Sequence, residues 1–383
     1  MKVEVVTFDA DPDRGGFGAR VHSLVLMFSQ FADVRVVETD PVPSPKVPGV
    51  EYEHLPLREP PLSRLRRVRT YYRTRFPKRR PTDRPDIVVV ESLDLLGLHQ
   101  YGETVPLVID EHNVYWELLP YEMVNSPFFM SRLGRNGAIR RWLVPRLLAR
   151  AKGFEIAALR RASRIIVTSG PDRDTVLAEL PELRDRVHIL PSCVDLGRFP
   201  GPSPSEESND VVFIGTYNYV PNREAALFVS RDLAPKVPEA RFVLVGRDPP
   251  PEALGGPNVV ANGYAPALGP VLQRAAICIA PLFRGSGTRL KVLTYLAAGK
   301  AVVATRKACE GLDVRDGVHA LLRDDPVEFA GAIRDLLADP GRRRELGAAG
   351  RTLVESRYDW RAYVRSLEDM SHSILSGEPV RGG

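Results

Sequence analysis

The chain has 383 residues, 44% of them hydrophobic and 26% charged, and a formal net charge of +5. At about 100–200 residues per domain this predicts two globular domains, and the positive excess favours anionic partners such as nucleotides, phospholipids or nucleic acid. Cys193, Cys278 and Cys309 stand apart without a C-x-x-C pair, so neither a disulfide framework nor a zinc site is suggested; no apolar run approaches the ~18–20 residues of a membrane span.

Lys2 to Phe8 (KVEVVTF) alternates and then turns apolar, as a first strand does. MKVEVVTFDAD is therefore no signal peptide, and a cytoplasmic protein is expected. Asp9 to Asp13 is turn chemistry. Gly15, Gly16 and Gly18 follow, then a helix from about Ala19 to Phe31 and a strand from Val34 to Glu38. The glycines do not have the spacing of a dinucleotide loop; a ligand loop and a tight turn needing positive φ both fit them. Asp9-Ala10-Asp11 spells D-x-D, but Asp and Pro are commonplace in turns, and no metal is expected. Pro41 to Pro61 reads as a proline-rich loop. Arg64 to Arg84 is the most basic segment, with Arg66, Arg67 and Arg73 around Tyr71. Two readings fit it well: a solvated helix, or a surface for anionic lipid headgroups or a lipid-phosphate acceptor. Single-stranded nucleic acid fits less well and is not expected as a partner.

Asp86 to Glu91 and Val105 to Asp110 are strands, the second leading into Asp110-Glu111-His112-Asn113. His112 fits a capped loop histidine or a functional group; no second histidine stands at zinc-ligand spacing, and no G-x-S-x-G elbow is present. Phe128 to Arg161 predicts a basic amphipathic helix carrying Arg140, Arg141 and Trp142, broken or kinked at Pro145. Strands at Arg164–Thr168 and Arg186–Leu190 precede a polar linker, Gly201 to Asn209.

A new strand–helix series follows: strand Val211–Gly215, helix Asn222–Val237, strands Arg241–Val245 and Val259–Tyr264, helix Pro266–Ala275 and strand Ala276–Ala280. Then comes PLFRGSGTRLKVLTYLAAGKAVVAT, Pro281 to Thr305. Gly285, Ser286 and Gly287 break regular structure. Thr288 to Ala298 has helical apolar spacing, Gly299 stops it as a C′ glycine, and Ala301–Ala304 is a strand. A glycine loop that feeds a helix at the carboxyl edge of a parallel sheet exposes free N–H groups and attracts phosphate. Arg289 and Lys291 add two cations, each worth about 1.5–3 kcal/mol in a charge-assisted hydrogen bond. A tight turn with a solvated cationic face is the alternative. Helices near Asp325–Ala338 and Gly341–Ser356, a last one from about Tyr358 to Leu375, and a loose tail complete the chain.

GSGTRLKVLTYLAAGKAVVAT resembles the donor segment of retaining GT-B glycosyltransferases of family 4 (glycosyl transferases group 1), typically GxGxRLKxLEAxAxGKPVVAT. Asp110 to Asn113 resembles that family's D-x-H-N, LPSCVDLGRF at 190–199 its P-N-G-V-D-x-x-x-F, and FIGTYNYVPNREA at 213–225 its F-x-G-x-x-x-x-x-P-N-x-x-A. The resemblance implies an α/β fold of two Rossmann-like domains facing a cleft: an acceptor domain over 1–200, a nucleotide-sugar domain over 210–356, and a helix over 357–376 crossing back to the first. It implies a retaining, metal-independent transferase without a cofactor, the nucleotide sugar being its substrate. The donor would be bound by Gly15, Gly16, Gly285, Ser286, Gly287, Thr288, Arg289, Lys291, Thr294 and Glu310, with His112 catalytic. The acceptor would be a glycan or lipid-linked, with the basic stretches holding the protein peripherally at the inner membrane face. Two departures stand out. The Arg and Lys that many members carry after the strand at 211–215 are absent, and Thr294 replaces the glutamate that binds the ribose. An epimerase or hydrolase of the same fold, or a non-catalytic nucleotide-binding protein, stays open.

Overall fold

Valine-rich runs without polar alternation need strands covered on both faces. Ile87–Val90 (IVVV) and Ala301–Ala304 (AVVA) are such strands, every residue buried. The computed structural model describes residues 1–40, 42–55, 84–99, 101, 104–125, 137–199, 201, 208–285 and 287–377, without the side chains of 122–125 and 137–141. Arg66, Arg67, Tyr71, Arg73 and Ser286 lie outside the described residues, as do the side chains of Arg140 and Arg141. The chain divides into unit 1, Met1–Asp11 with Val21–Pro191 and Tyr363–Gly383, and unit 2, Pro12–Arg20 with Ser192–Ala362.

Unit 1 is built on strands β1 (Lys2–Thr7), β2 (Asp33–Glu38), β3 (Glu51–His54), β4 (Ile87–Val90), β5 (Leu107–Glu111), β6 (Arg164–Val167) and β7 (Val187–Ile189). They form a parallel sheet in the order β3-β2-β1-β4-β5-β6-β7. Chain order reverses between β1 and β4, the place where an open sheet leaves a ligand crevice at its carboxyl edge. The helices are α1 (Gly16–Phe28), whose first five residues group with unit 2, α2 (Tyr115–Asn125), α3 (Gly137–Arg161) and α4 (Gly170–Glu179).

Unit 2 carries β8 (Asp210–Ile214), β9 (Arg241–Val245), β10 (Val259–Gly263), β11 (Ile277–Ala280), β12 (Ala301–Ala304) and β13 (Leu321–Leu322), all parallel, in the order β10-β9-β8-β11-β12-β13. Its switch point lies between β8 and β11. Its helices are α5 (Val220–Phe228), α6 (Leu268–Arg274), α7 (Leu290–Ala297), α8 (Pro326–Ala338) and α9 (Pro340–Arg357). The last helix, α10 (Val364–Ser376), belongs to unit 1, where the Arg164 guanidinium donates to Ser373 Oγ at 3.2 Å and Ser366 Oγ bonds His188 Nε2 at 3.2 Å.

Backbone contact locks α9 onto the turn after α7. A Cβ on Gly347 would lie 2.1 Å from the Gly299 carbonyl oxygen, and one on Gly350 would lie 2.5 Å from Leu296 Cδ2. Gly299 has φ 65°, the left-handed C′ conformation its position predicts. Buried Lys300 donates to the carbonyls of Gln273 and Ala275, both at 3.1 Å, satisfying the end of α6.

Several expectations need correction. Gly16 and Gly18 lie inside α1 rather than in a loop, so the helix starts three residues early; Gly15 alone of the three has positive φ, 152°. Glu51–His54 (EYEH) is a strand within the proline-rich stretch, paired with β2, although it has no apolar alternation. Helix α3 runs unbroken through Pro145, where one missing N–H is carried by a 25-residue helix. The helix expected over 222–237 is α-helical only to Phe228, then passes through a π turn and a 3-10 turn containing Pro235, which has no N–H to continue it.

Candidate active site

At the switch point of unit 2, the loop after β11 runs straight into α7. Gly285 has φ 111° and Gly287 φ 71°. A Cβ on Gly285 would sit 2.7 Å from Arg289 Nη2 and 2.9 Å from Tyr219 Oη, the movable tips of two side chains, so it is the backbone angle that calls for glycine there. Arg289 stands at the N-cap position of α7, is buried, and donates to the Gly287 carbonyl. The Thr288 hydroxyl oxygen is buried and has no hydrogen-bond partner among the described residues.

Lys291 lies in the first turn of α7. Its Nζ donates to Asn222 Oδ1 at 2.5 Å and stands 4.3 Å from the Phe213 ring centroid. Asn222 is itself held by donating to the Thr216 carbonyl at 3.0 Å. Burial, and then the charge of Arg289, push the Lys291 ammonium well below its ordinary pKa. Two cations held this close repel each other, and an anion bound between them removes that repulsion. Together with the N-terminus of α7, the pair has the chemistry a polyphosphate would need. The stretch 12–20 groups with unit 2: a Cβ on Gly15 would lie 3.5 Å from Thr216 Oγ1, and one on Gly16 would lie 3.6 Å from Leu290 Cβ. Gly15 thus borders the turn after β8, and Gly16 the first residue of α7.

Thr294 is buried one turn further along α7, and its hydroxyl donates to the Leu290 carbonyl at 2.9 Å. Only its lone pairs remain for a ligand hydroxyl. Glu310 is exposed on the turn after β12 and pairs with Lys307. The Asp9 carboxylate accepts the Asp11 N–H at 3.1 Å, closing a turn. Trp142 on α3 is exposed, with the Arg146 guanidinium 4.1 Å from its ring centroid.

In unit 1, His112 follows the carboxyl end of β5. Its Nε2 lies 2.9 Å from Glu91 Oε2 and 3.1 Å from Asp110 Oδ2. Both carboxylates are buried. Burial alone would lower the imidazole pKa, but the charge and hydrogen bond of Asp110 and the hydrogen bond and charge of Glu91 outweigh it, and the pKa is raised. The three donor atoms lie within 4.8 Å of one another, close enough to ligate a metal ion. Strand alternation puts Glu111 on the opposite face from Asp110. There Glu155 accepts the Tyr115 N–H at 2.8 Å at the start of α2, and burial pushes its carboxyl up to about 8.

Sequence reasoning missed Glu91, Asn222 and Tyr295. The Tyr295 hydroxyl accepts the Ile214 N–H at 2.8 Å and ties α7 to the end of β8. Asn222 was visible only as the second residue of the P-N pair, and Glu91 only as the last residue of a strand.

Two parallel sheets, each with polar groups gathered where its strand order reverses, one of them behind a glycine loop and a cationic helix start, define a GT-B transferase. The Glycosyltransferase Family 4 model matches residues 14–198, and the Glycosyl transferases group 1 model matches residues 208–339. The chain belongs to this family and is a glycosyltransferase. It is similar to the D-inositol 3-phosphate glycosyltransferase of Xylanimonas cellulosilytica, 26% identical over 291 residues, 68% of each chain. In fold it is similar to sucrose-phosphate synthase from Thermosynechococcus elongatus, with a TM-score of 0.69 and 17% identity over 99% of this chain and 100% of that one. Anabaena HepE in complex with UDP and glucose has a TM-score of 0.66 and 14% identity, over 97% of this chain and 100% of that one. Among the described residues no helix is long and apolar enough to cross a membrane.

Proposed function

We propose that the protein is a retaining, metal-independent glycosyltransferase that takes a sugar from a nucleoside-diphosphate donor. The observation that carries this reading is the pairing of Arg289 and Lys291 at the start of α7, beyond a loop whose Gly285 and Gly287 have positive φ. The donor's diphosphate would be held there, by Thr288, Arg289, Lys291 and the helix N-terminus, with Thr294 accepting from the ribose. UDP sugars are the first donors to test, because HepE was solved with UDP and glucose.

In the proposed step, an acceptor hydroxyl oxygen attacks the anomeric carbon from the face the diphosphate leaves. The carbon–oxygen bond to the diphosphate breaks, and the hydroxyl proton passes to the departing phosphate oxygen. Cations and the helix dipole stabilise the charge that develops on that phosphate. His112 positions the sugar and, as an imidazolium, stabilises the negative charge that develops on the departing phosphate. The acceptor would be a glycan or a lipid-linked one at the inner membrane face. The exposed Trp142 with Arg146 beside it and the basic segment at 64–84 support that part of the reading.

The test is label transfer from a panel of radiolabelled sugar nucleotides to isolated membranes, in EDTA. Transfer with the donor's anomeric configuration retained, read by NMR of the product, is the expected result. Transfer to water alone, inversion, or loss of activity in EDTA would refute the corresponding part of the reading. Liposome sedimentation at low and high salt tests the membrane surface, because headgroup attraction is screened by salt.

A further inference from the structure

Glu91 is the last place to expect a charge. It follows four buried residues of β4 directly, is itself 1% exposed, and stands 21 residues from His112 in the chain. A carboxylate this deep is costly unless partnered. Because β4 and β5 are neighbours in the sheet, their carboxyl ends bring Glu91 and Asp110 to the same ring nitrogen, at 2.9 and 3.1 Å. One N–H shared between two acidic oxygens fixes the plane of the imidazole and its tautomer, and it leaves Nδ1 on the opposite edge of the ring.

We infer that Glu91, with Asp110, is a positioning residue for His112, clamping Nε2–H so that the ring is held in one orientation. The inference rests on the reading of His112 as the catalytic group of the transferase. The clamp adds a requirement: with Nε2 committed to the two carboxylates, His112 meets a ligand through Nδ1. Among the described residues, two carboxylates, one from each strand end, bear on the ring. Replacing Glu91 by glutamine keeps an acceptor oxygen and the volume, and removes one of the two charges.

The experiment follows the His112 ring by two-dimensional 1H–15N NMR from pH 5 to 9 in wild type, Glu91→Gln and Asp110→Asn, with steady-state kinetics on the same samples. In wild type the ring is expected to stay protonated above the pH of a free histidine, with Nε2 protonated throughout. In Glu91→Gln the midpoint falls, and kcat drops roughly 10-fold or more while KM for the donor stays within about twofold. Asp110→Asn should move the midpoint the same way and serves should the first variant unfold; melting curves of all three proteins identify that case. A midpoint unmoved in both folded variants overturns the clamp. So does stoichiometric Zn2+ or Mn2+ binding by wild type that Glu91→Gln abolishes, because the three groups are then metal ligands. Should the ring titrate as stated while wild type transfers no sugar, the clamp stands and the transferase mechanism falls.

Discussion

Glu155→Gln should flatten the pH dependence of stability in unit 1. Glu155 is buried within α3, and burial raises its carboxyl from 4.5 to about 8, against hydrogen bonds from the Tyr115 and Trp116 N–H groups and the charge of Lys152. Glu111 is pushed well up too, first by its own burial and then by the charge of Glu155. The folded state thus holds a proton that the unfolded chain releases, so stability is full below pH 4.5 and is lost as pH rises toward about 8. One such group costs about 1.4 kcal/mol per pH unit in that window, or about 2–3 kcal/mol between pH 5 and 7. For a unit of this size that corresponds to a fall in Tm of roughly 4–12 °C. Glutamine keeps an oxygen for the Tyr115 N–H and cannot ionise. Thermal melts of both proteins by circular dichroism at pH 5, 6, 7 and 8 are the assay, and the Tm difference in favour of the variant should widen with pH. His112, whose folded pKa is also raised, contributes stability present below 6.5 and lost as pH rises through the folded value; it is common to both proteins and cancels in the difference. A Tm difference constant from pH 5 to 8 would refute the argument.

Lys291→Ala should weaken binding of a nucleoside diphosphate by roughly 10- to 150-fold, the worth of one charge-assisted hydrogen bond, and calorimetry within twofold of wild type would place the phosphates elsewhere. Thr294→Glu should tighten binding of the nucleoside diphosphate while leaving inorganic pyrophosphate unchanged, because only the former has a ribose; equal effects on both ligands would show that the position does not meet the sugar of the nucleotide. Gly347→Ala forces a Cβ to 2.1 Å from the Gly299 carbonyl and should cost unit 2 at least about 1–3 kcal/mol, whereas Gly331→Ala, with nothing within 4 Å, should gain about 0.5–1 kcal/mol; chemical denaturation of the two variants checks both signs.

Local features were legible where the chain writes them locally. Arg241–Val245 and Ala301–Ala304 fall at the predicted residues, and Gly299 ends its helix as its position requires, because burial on both faces and C′ geometry each leave a short-range mark. The glycine loop with Arg289 and Lys291 was legible for the same reason. The partners of the functional groups were not: Asn222 lies 69 residues from Lys291, and Glu91 reaches His112 only through the pairing of β4 with β5. Helix α1 was misjudged because Gly16 and Gly18 have poor helix propensity, which packing overrides. EYEH was missed because a strand whose burial is only partial shows little hydrophobic signal.

The two ends of α7 are held very differently. At its far end the Gly347 backbone presses on Gly299, and the Arg351 guanidinium clasps the Ala297 carbonyl. At its near end the chain enters through two glycines with left-handed backbone. A rod bolted at one end and jointed at the other cannot slide lengthwise, so any adjustment of α7 is expected at its glycine end.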